Sequence, residues 1–183
     1  MMTETLEDLI VRLVPYVSGD VVVTSAALAG GREVVIRQME RVRALKPETI
    51  VDVGTKDGVM AALLGRVAEC VITFDVQRSP LLDDVLAVAD ARNVAALRLS
   101  DRQRGMVLER LEFDLAFIDG GPHHDRVASA FADTHRCGRV LFHGYGDPRR
   151  DGLTRFVDSL TKGTVEHDPP FVWWRGEKAG FTF

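Results

Sequence analysis

Two glycines bracket a short polar segment at the end of an apolar run, in the order Glu48-Thr-Ile-Val-Asp-Val-Gly-Thr-Lys-Asp-Gly58. This pattern predicts a buried strand, a glycine turn and the start of a helix. Asp75 ends the next apolar run, where a carboxylate can accept hydrogen bonds from two ribose hydroxyls. Together these residues indicate a site for a nucleoside-bearing cofactor at the carboxyl edge of a parallel sheet.

The glycine turn differs from the dinucleotide fingerprint G-x-G-x-x-G. Lys56 stands where the middle glycine of that fingerprint admits a pyrophosphate, which argues against NAD or FAD. Asp52 faces the same turn and is a candidate to bond an amino group of the ligand, directly or through water. The alternative is that Asp52 and Gly54 only shape the turn between strand and helix.

Further carboxylates follow the third and fourth apolar runs. Ser100 or Asp101 could meet an adenine edge, or one of them could cap the next helix. Asp119 ends the fourth run, where an active site is expected in a parallel sheet. His143 ends the fifth run, and these side chains could converge as a general base or a metal site.

Two histidines, His123 and His124, lie in the loop after Asp119 and are candidates to join Asp119 and His143. Their spacing matches no strong zinc pattern, so the sequence assigns no metal ligands. A histidine in a loop is usually a surface residue, and this alternative stays open for both.

The elements that must position these residues alternate along the chain. Apolar runs predict strands at 49–53, 70–75, 94–99, 113–118 and 139–143. Between them, helices are predicted at about 58–68, 81–91, 103–110 and 124–136. Such alternation predicts parallel strands joined by right-handed crossovers, with helices on both faces.

The two ends of the chain follow other patterns. Helices are predicted over roughly 4–14 and from Val34 to Leu45, with a small-residue segment at 18–31 as a strand or flexible cover. After a helix at about 149–161, the runs 171–175 and 179–183 predict an antiparallel hairpin around residues 176–177.

Composition narrows the class of protein. The 183 residues carry a formal net charge of -4, which gives no basic field for nucleic acid as an obligate partner. There is no apolar run of about 18 residues and no signal-peptide pattern, so we expect no membrane span. Two cysteines do not make a disulfide framework. We expect a soluble, cytoplasmic protein.

Trp173 and Trp174 are adjacent in a predicted strand, so their side chains should face opposite sides. We expect one to lie in the core and the other to be exposed or in a subunit contact. An exposed apolar edge at this strand would favour a homodimer.

The motifs resemble those of the class I S-adenosylmethionine-dependent methyltransferases. The closer likeness is to the small branch related to catechol O-methyltransferase and the cephalosporin-hydroxylase-like methyltransferases. Val51-Asp-Val-Gly-Thr-x-x-Gly58 is similar to that branch's cofactor turn, which also lacks the middle glycine. Phe113-Asp-Leu-x-Phe-Ile-Asp-Gly120 is similar to its fourth-strand motif. Asp125-x-Val127 and Gly152-Leu-Thr-Arg-Phe-Val157 also fit.

The resemblance covers residues 48–160 approximately and implies an α/β fold. The expected architecture is a Rossmann-like, doubly wound, mostly parallel seven-stranded sheet with an antiparallel C-terminal hairpin and helices on both faces. We expect a single domain over 1–183, in which 1–47 form N-terminal helices and a cover and 48–183 form the core.

The resemblance also assigns the residues that would bind S-adenosylmethionine. At its methionine and ribose end these would be Asp52, Gly54, Thr55 and Gly58. Asp75 would hold the ribose, and Ser100 with Asp101 would flank the adenine. Asp119 would lie beside the transferred methyl group, as a base or a metal ligand.

Three positions depart from the family pattern. Pro122 stands where the family often has histidine, and His124 stands where tyrosine is frequent. The fifth strand ends in His143-Gly144, whereas metal-binding members draw ligands from an Asp-containing pair there. This last departure argues against a bound divalent cation such as Mg²⁺.

Methyl transfer from a sulfonium requires alignment, exclusion of water and, for a hydroxyl acceptor, removal of a proton. We expect Asp119 and His143 to handle that proton, with His124 or His123 in support. The segments 1–31 and 145–150 would cover a small-molecule acceptor. Three alternatives remain: an N-methyltransferase or metal-dependent hydroxylase-like relative, a non-catalytic protein of the same fold, and a nicotinamide oxidoreductase.

Overall fold

Seven strands form one sheet, and the structure, a computed structural model, describes residues 4–16, 31–119 and 121–177. Numbered along the chain, the strands are β1 (Thr49–Val53), β2 (Cys70–Asp75), β3 (Val94–Arg98), β4 (Leu115–Ile118), β5 (Arg139–His143), β6 (Thr164–Asp168) and β7 (Phe171–Arg175). Their spatial order is β3-β2-β1-β4-β5-β7-β6. The five strands predicted from apolar runs are confirmed within two residues at each end.

The central strand β1 pairs in parallel with β2 on one side and with β4 on the other. The chain therefore winds outward from β1 to β3 and returns to the centre for β4, which pairs in parallel with β5. Such a reversal leaves a crevice at the carboxyl ends of the two central strands. The predicted doubly wound α/β fold is confirmed.

Seven α-helices lie in the described part of the chain. They are α1 (Leu6–Leu13), α2 (Gly31–Ala44), α3 (Val59–Gly65), α4 (Leu82–Val88), α5 (Asp101–Leu108), α6 (His124–Thr134) and α7 (Asp151–Asp158). Within the described ranges, we find no helix with the length and apolarity that a bilayer span requires. The predicted cover at 18–31 lies outside the described residues, apart from Gly31 at the start of α2.

Two buried apolar clusters lie on opposite faces of the sheet, because successive residues of a strand point to opposite sides. On β1, Ile50 belongs to the first cluster and Val51 to the second. Helices α1 to α4 contribute to the first cluster, and α5 to α7 contribute to the second. Strand β3 forms an edge of the sheet, and Leu97 there is 40% exposed.

The N-terminal helix α1 begins at a capping box. The Thr5 hydroxyl accepts a hydrogen bond from the Asp8 N–H (3.1 Å), and the Asp8 carboxylate accepts one from the Thr5 N–H (3.2 Å). Leu9 and Leu13 are buried in the first cluster, whereas Val11 is 54% exposed. The helix is therefore amphipathic, and one face of it completes the core under β1.

The C-terminal hairpin forms with a different strand from the one predicted. Strand β7 pairs antiparallel with β6 around residues 169–170, and antiparallel with β5 on its other side. The prediction placed the turn at residues 176–177. Strand β6 is mostly exposed and polar, so it lacks the apolar pattern that marks the other strands. Residues 179–183 lie outside the described part of the chain.

Both tryptophans of β7 are buried, so the prediction that one would be exposed is wrong. Trp173 is 1% exposed and Trp174 is 5% exposed, because β7 lies between β5 and β6 and is covered on both faces. The Trp173 indole N–H donates to Gln38 Oε1 (2.6 Å), and that of Trp174 donates to Lys162 O (2.7 Å). This strand provides no apolar edge for a homodimer.

We predict that Leu9→Ala lowers the free energy of unfolding by roughly 2–5 kcal/mol, because it leaves a cavity in the first cluster. Val11→Ala in the same helix is the matched control and should change it by less than about 0.5 kcal/mol. Urea unfolding followed by circular dichroism measures both. Equal effects of the two substitutions would contradict the packing of α1 against the core.

Candidate active site

A cleft opens at the carboxyl ends of the first four strands, where the winding of the chain reverses between β1 and β4. Its volume is about 260 Å³. Four of the predicted cofactor-binding residues line it: Gly54, Asp75, Asp101 and Asp119. Ligands of open α/β sheets bind at this position, so the cleft lies where a ligand is expected.

The glycine turn joins β1 to α3 and is held against the end of β2. The Gly54 N–H donates to Phe74 O (2.9 Å). Gly58 has a φ of 85°, and a side chain at this position would overlap Leu82. The left-handed backbone at position 58 therefore favours glycine. The exposed Lys56 lines the cleft beside Gly54.

Backbone N–H groups hold the Asp75 carboxylate at the end of β2. The Lys56 N–H donates to Asp75 Oδ2 (3.0 Å), and the Gln77 N–H donates to Oδ1 (3.1 Å). A carboxylate oxygen has more than one lone pair, so each can accept a second hydrogen bond. Asp75 is half-buried and lines the cleft, and a carboxylate can accept hydrogen bonds from a diol.

Asp52 is buried beneath the glycine turn and does not line the cleft. The Thr73 hydroxyl donates to Asp52 Oδ2 (2.6 Å), and Thr55 Oγ1 lies 2.5 Å from Thr73 Oγ1. Asp52 Oδ1 has no hydrogen-bond partner among the described residues. The pKa of Asp52 is raised to about 7, chiefly because burial disfavours the charged carboxylate. The hydrogen bond from Thr73 lowers this pKa, and the negative charge of Asp75 raises it further. A buried oxygen of this kind suits a bond to a ligand or to water.

Ser100 caps α5, whereas Asp101 faces the cleft. The Ser100 hydroxyl donates to Gln103 Oε1 (2.8 Å) and accepts from the Gln103 N–H (3.4 Å), which completes a capping box. The buried Arg104 donates to Asp101 Oδ1 (2.6 Å) and to Asp133 Oδ2 (2.8 Å). One oxygen of Asp101 is thus fixed by a buried guanidinium, and the Ser100 hydroxyl is engaged in the cap.

Asp119, His143 and Arg150 form a buried cluster at the ends of β4 and β5, with no member more than 6% exposed. His143 Nδ1 lies 3.3 Å from Asp119 Oδ2. Arg150 Nη1 forms an ion pair with Asp119 Oδ1 and donates to His143 O (3.1 Å). The His143 ring packs on Phe117 and Phe171, with centroids 6.2 and 4.7 Å away. The structure thus brings the predicted pair of Asp119 and His143 together.

The loop histidines lie apart from this cluster. His123 is exposed and precedes α6, and His124 is the first residue of that helix. The His124 ring meets Phe156 edge-on, with centroids 5.6 Å apart. Phe156 belongs to the second cluster, whereas Phe117 beside His143 belongs to the first. The rings of His124 and His143 therefore pack against clusters on opposite faces of the sheet.

The donor groups at Asp119 do not fit a divalent cation. No set of three or more His, Cys, Asp or Glu side chains converges in the part of the chain that the structure describes. Mg²⁺ requires several oxygen ligands in octahedral geometry. Asp119 Oδ1 instead faces the Arg150 guanidinium, and a side chain at Gly144 would overlap Arg150.

The sequence does not mark Arg150, because it directly follows a second arginine in a segment without periodicity. In the structure Arg149 pairs with Asp147 at the surface, while Arg150 turns inward. Thr73 carries a clearer signal, since it is a polar residue inside the apolar run Val71-Ile-Thr-Phe. A hydroxyl in a buried strand needs a partner, and here that partner is Asp52.

Comparison with known proteins identifies the class of fold. No protein-family model matches the chain, and no curated protein matches it. Solved structures do. One of them is the O-methyltransferase TomG from Streptomyces achromogenes, which is involved in tomaymycin synthesis and was solved in complex with SAM. Its TM-score is 0.65 at 16% identity, and the match covers 97% of this chain and 92% of TomG.

Two further structures show the same likeness. The O-methyltransferase from Bacillus cereus in complex with SAH has a TM-score of 0.63 at 14% identity, covering 96% of this chain and 92% of that one. An rRNA methylase from Streptococcus thermophilus has a TM-score of 0.60 at 16% identity, and the match covers 78% of this chain and 96% of the methylase. The chain has the fold of class I S-adenosylmethionine-dependent methyltransferases, and the resemblance inferred from its motifs is confirmed at the level of fold.

We predict that Asp52→Asn removes a pH dependence of stability. The pKa of Asp52 is raised to about 7 in the folded protein, so the folded state binds this proton more tightly than the unfolded state. The resulting stabilisation is present at low pH and is lost as the pH rises toward 7. Relative to Asp52→Asn, the wild-type free energy of unfolding should fall by on the order of 1 kcal/mol per pH unit between about pH 4 and 7.

Thr73→Val is the matched variant for this prediction. It removes the hydroxyl that favours the charged carboxylate and so should raise the pKa of Asp52 further. The pH range over which the free energy of unfolding falls should therefore extend to higher pH. Urea unfolding at a series of pH values gives the three curves. Parallel curves for the wild type and Asp52→Asn would contradict a raised pKa of this carboxyl.

Proposed function

We propose that this protein is an S-adenosylmethionine-dependent methyltransferase that acts on a hydroxyl of a small-molecule acceptor. One observation carries the proposal: Asp75 ends β2 and Asp119 directly follows β4, the two strands that flank β1, and both residues line one cleft. TomG and the Bacillus cereus enzyme, whose structures contain SAM and SAH, share the fold, which supports the same cofactor here.

The residues of the cleft suit this cofactor along its length. Asp75 would accept the ribose hydroxyls, and Asp101, beside it on the wall, would face the adenine. Gly54 has no side chain, so the backbone can approach the cofactor closely. Asp52 lies beneath the turn with an unpartnered oxygen, which would bond the amino group of the methionine portion through water.

The chemistry asked of the protein is limited. When bound, S-adenosylmethionine supplies a methyl group on a sulfonium, and the carbon–sulfur bond breaks with its electrons on sulfur. The residues of the chain must align the acceptor, exclude water and accept the hydroxyl proton as the oxygen–carbon bond forms. We assign the proton to His143 Nε2, because Nδ1 faces Asp119. From the imidazolium the proton passes to solvent.

Asp119 and His143 are therefore the proposed proton-handling residues, and His124 is not included. Its ring packs against Phe156 in the cluster on the other face of the sheet. Asp119 serves two purposes in this proposal, since it lines the cofactor cleft and orients the imidazole of His143.

A second candidate is a protein of this fold that binds the cofactor without methyl transfer. The burial of the proposed base favours it, since His143 is only 2% exposed. A general base must come within hydrogen-bond reach of the proton that it removes, directly or through one water. Turnover, measured separately from cofactor binding, discriminates between the two candidates.

We predict that the wild-type protein binds S-adenosylmethionine and S-adenosylhomocysteine, and that Asp75→Ala weakens both at least about tenfold, or 1.4 kcal/mol. The substitution removes the only side chain placed to accept the ribose hydroxyls in this assignment. Isothermal titration calorimetry measures both affinities.

Asp83→Ala is the control for the loss of a carboxylate. Asp83 lies on α4 with a side chain that is 74% exposed, so the affinity should match the wild type. Absence of binding to either ligand, in wild-type protein shown to be folded by circular dichroism, would rule out the proposed function.

We predict that Asp119→Asn lowers methyl transfer by roughly 100-fold or more, and that this loss exceeds any loss of affinity for S-adenosylhomocysteine. The amide keeps the shape of the carboxylate but does not orient an Nδ1–H in the same way. The assay follows S-adenosylhomocysteine release with a panel of phenols, catechols and sugar hydroxyls.

Ribosomal RNA should be included in the panel, because the Streptococcus thermophilus rRNA methylase shares the fold. Turnover on RNA alone would contradict a small-molecule acceptor. Cofactor binding without turnover on any acceptor would instead favour the non-catalytic candidate.

A further inference from the structure

Both oxygens of Asp119 face groups on neighbouring elements. Oδ1 forms an ion pair with Arg150, and Oδ2 lies 3.3 Å from His143 Nδ1. The side chains of all three residues are buried. The cation that compensates this carboxylate is therefore a guanidinium, which stays charged at any pH that the protein experiences.

The position of Arg150 depends on the residue that follows β5. Gly144 has a φ of 100°, and a side chain there would overlap the Cδ, Nη1 and Nε atoms of Arg150. The absence of a side chain at position 144 is thus what admits the arginine to the end of β4. Gly144 and Arg150 form one structural unit, although five residues separate them.

The turn at Pro148–Arg150 directs the second of its two arginines inward. Asp147 caps the turn, accepting from the Arg149 N–H (2.9 Å), and its carboxylate also pairs with the Arg149 side chain. The Arg150 N–H donates to Asp147 O (2.8 Å), and its guanidinium donates to His143 O (3.1 Å). Arg150 is therefore anchored through both its backbone and its side chain.

We propose that Arg150 is a built-in cation, which takes the place against Asp119 that a divalent metal ion would need and makes the site independent of metals. Arg150 acts through Asp119 and is a positioning residue. With Oδ1 paired to the guanidinium, Oδ2 is the Asp119 oxygen that lies 3.3 Å from His143 Nδ1. The Nδ1–H tautomer is then favoured, because the other tautomer would set two lone pairs 3.3 Å apart.

The catalytic consequence of this inference rests on the proposed function. With the proton on Nδ1, Nε2 of His143 is the nitrogen that accepts the proton of a hydroxyl. Its structural content concerns only Asp119, His143 and Arg150. Two readouts, metal uptake and the tautomer of His143, therefore test it without an acceptor.

The first readout is Mn²⁺ uptake, followed by electron paramagnetic resonance of the free ion. Mn²⁺ serves as the probe because it favours the same carboxylate and water ligands as Mg²⁺. The wild type and Asp119→Asn should take up Mn²⁺ to the same small extent. Uptake of one equivalent by the wild type that is lost in Asp119→Asn would overturn the proposal.

The second readout is the tautomer of His143, observed by ¹⁵N NMR of imidazole-labelled protein at alkaline pH and assigned with His143→Gln. The wild type should carry the proton on Nδ1. Arg150→Gln removes the guanidinium that holds Oδ1, so Asp119 can turn away from Nδ1 and the spectrum should show a mixture of tautomers. Arg150→Lys keeps a cation beside Oδ1 and should restore the wild-type spectrum. A purely structural role of Arg150 would leave the tautomer unchanged in folded Arg150→Gln, and that result would overturn the proposal.

If Arg150→Gln does not fold, the wild type and Arg150→Lys still test the proposal. A bare Nδ1 in the wild-type spectrum would overturn the proposal, and so would specific Mn²⁺ uptake. Calorimetry of S-adenosylhomocysteine binding to the same samples tests the proposed function separately from the role of Arg150. Loss of cofactor binding in the wild type would refute the proposed function while the two readouts still judge the role of Arg150.

Discussion

Four carboxylates converge on one edge of the sheet, and the compensation of their charges is the constraint on which the cleft depends. Parallel strands bring their carboxyl ends together, so Asp52, Asp75, Asp101 and Asp119 collect around the reversal between β1 and β4. Like charges in proximity disfavour ionisation. The Asp75 charge indeed contributes to the raised pKa of Asp52. The four carboxylates meet this constraint through three kinds of local arrangement.

The kind of compensation determines what each carboxylate can do. Asp52 is buried with a raised pKa and shares a hydrogen bond with Thr73. Asp75 lines the cleft and is held by backbone N–H groups, which leave each oxygen able to accept a further hydrogen bond. Asp101 and Asp119 are each fixed by a buried arginine on one oxygen. Asp75, the carboxylate most open to a diol, is thus the one whose negative charge is compensated by backbone N–H groups.

The C-terminal hairpin encloses His143 beside Asp119. Strand β7 lies between β5 and β6, so β5 is an interior strand and His143 at its end is enclosed by Phe117 and Phe171. The same insertion buries both tryptophans of β7. An aromatic enclosure keeps the imidazole next to Asp119 and away from bulk water, which strengthens the electrostatic coupling between them.

The sequence by itself determined the elements whose signals are local. The strands from β1 to β5 follow from their apolar runs, and the places of Gly58 in the turn and of Asp75 at a strand end follow from the local sequence. The tertiary structure decided which polar residues meet. Arg150 reaches Asp119 only because Gly144 lacks a side chain, and His124 packs on the face opposite His143. Such contacts join residues far apart in the chain, and no local periodicity encodes them.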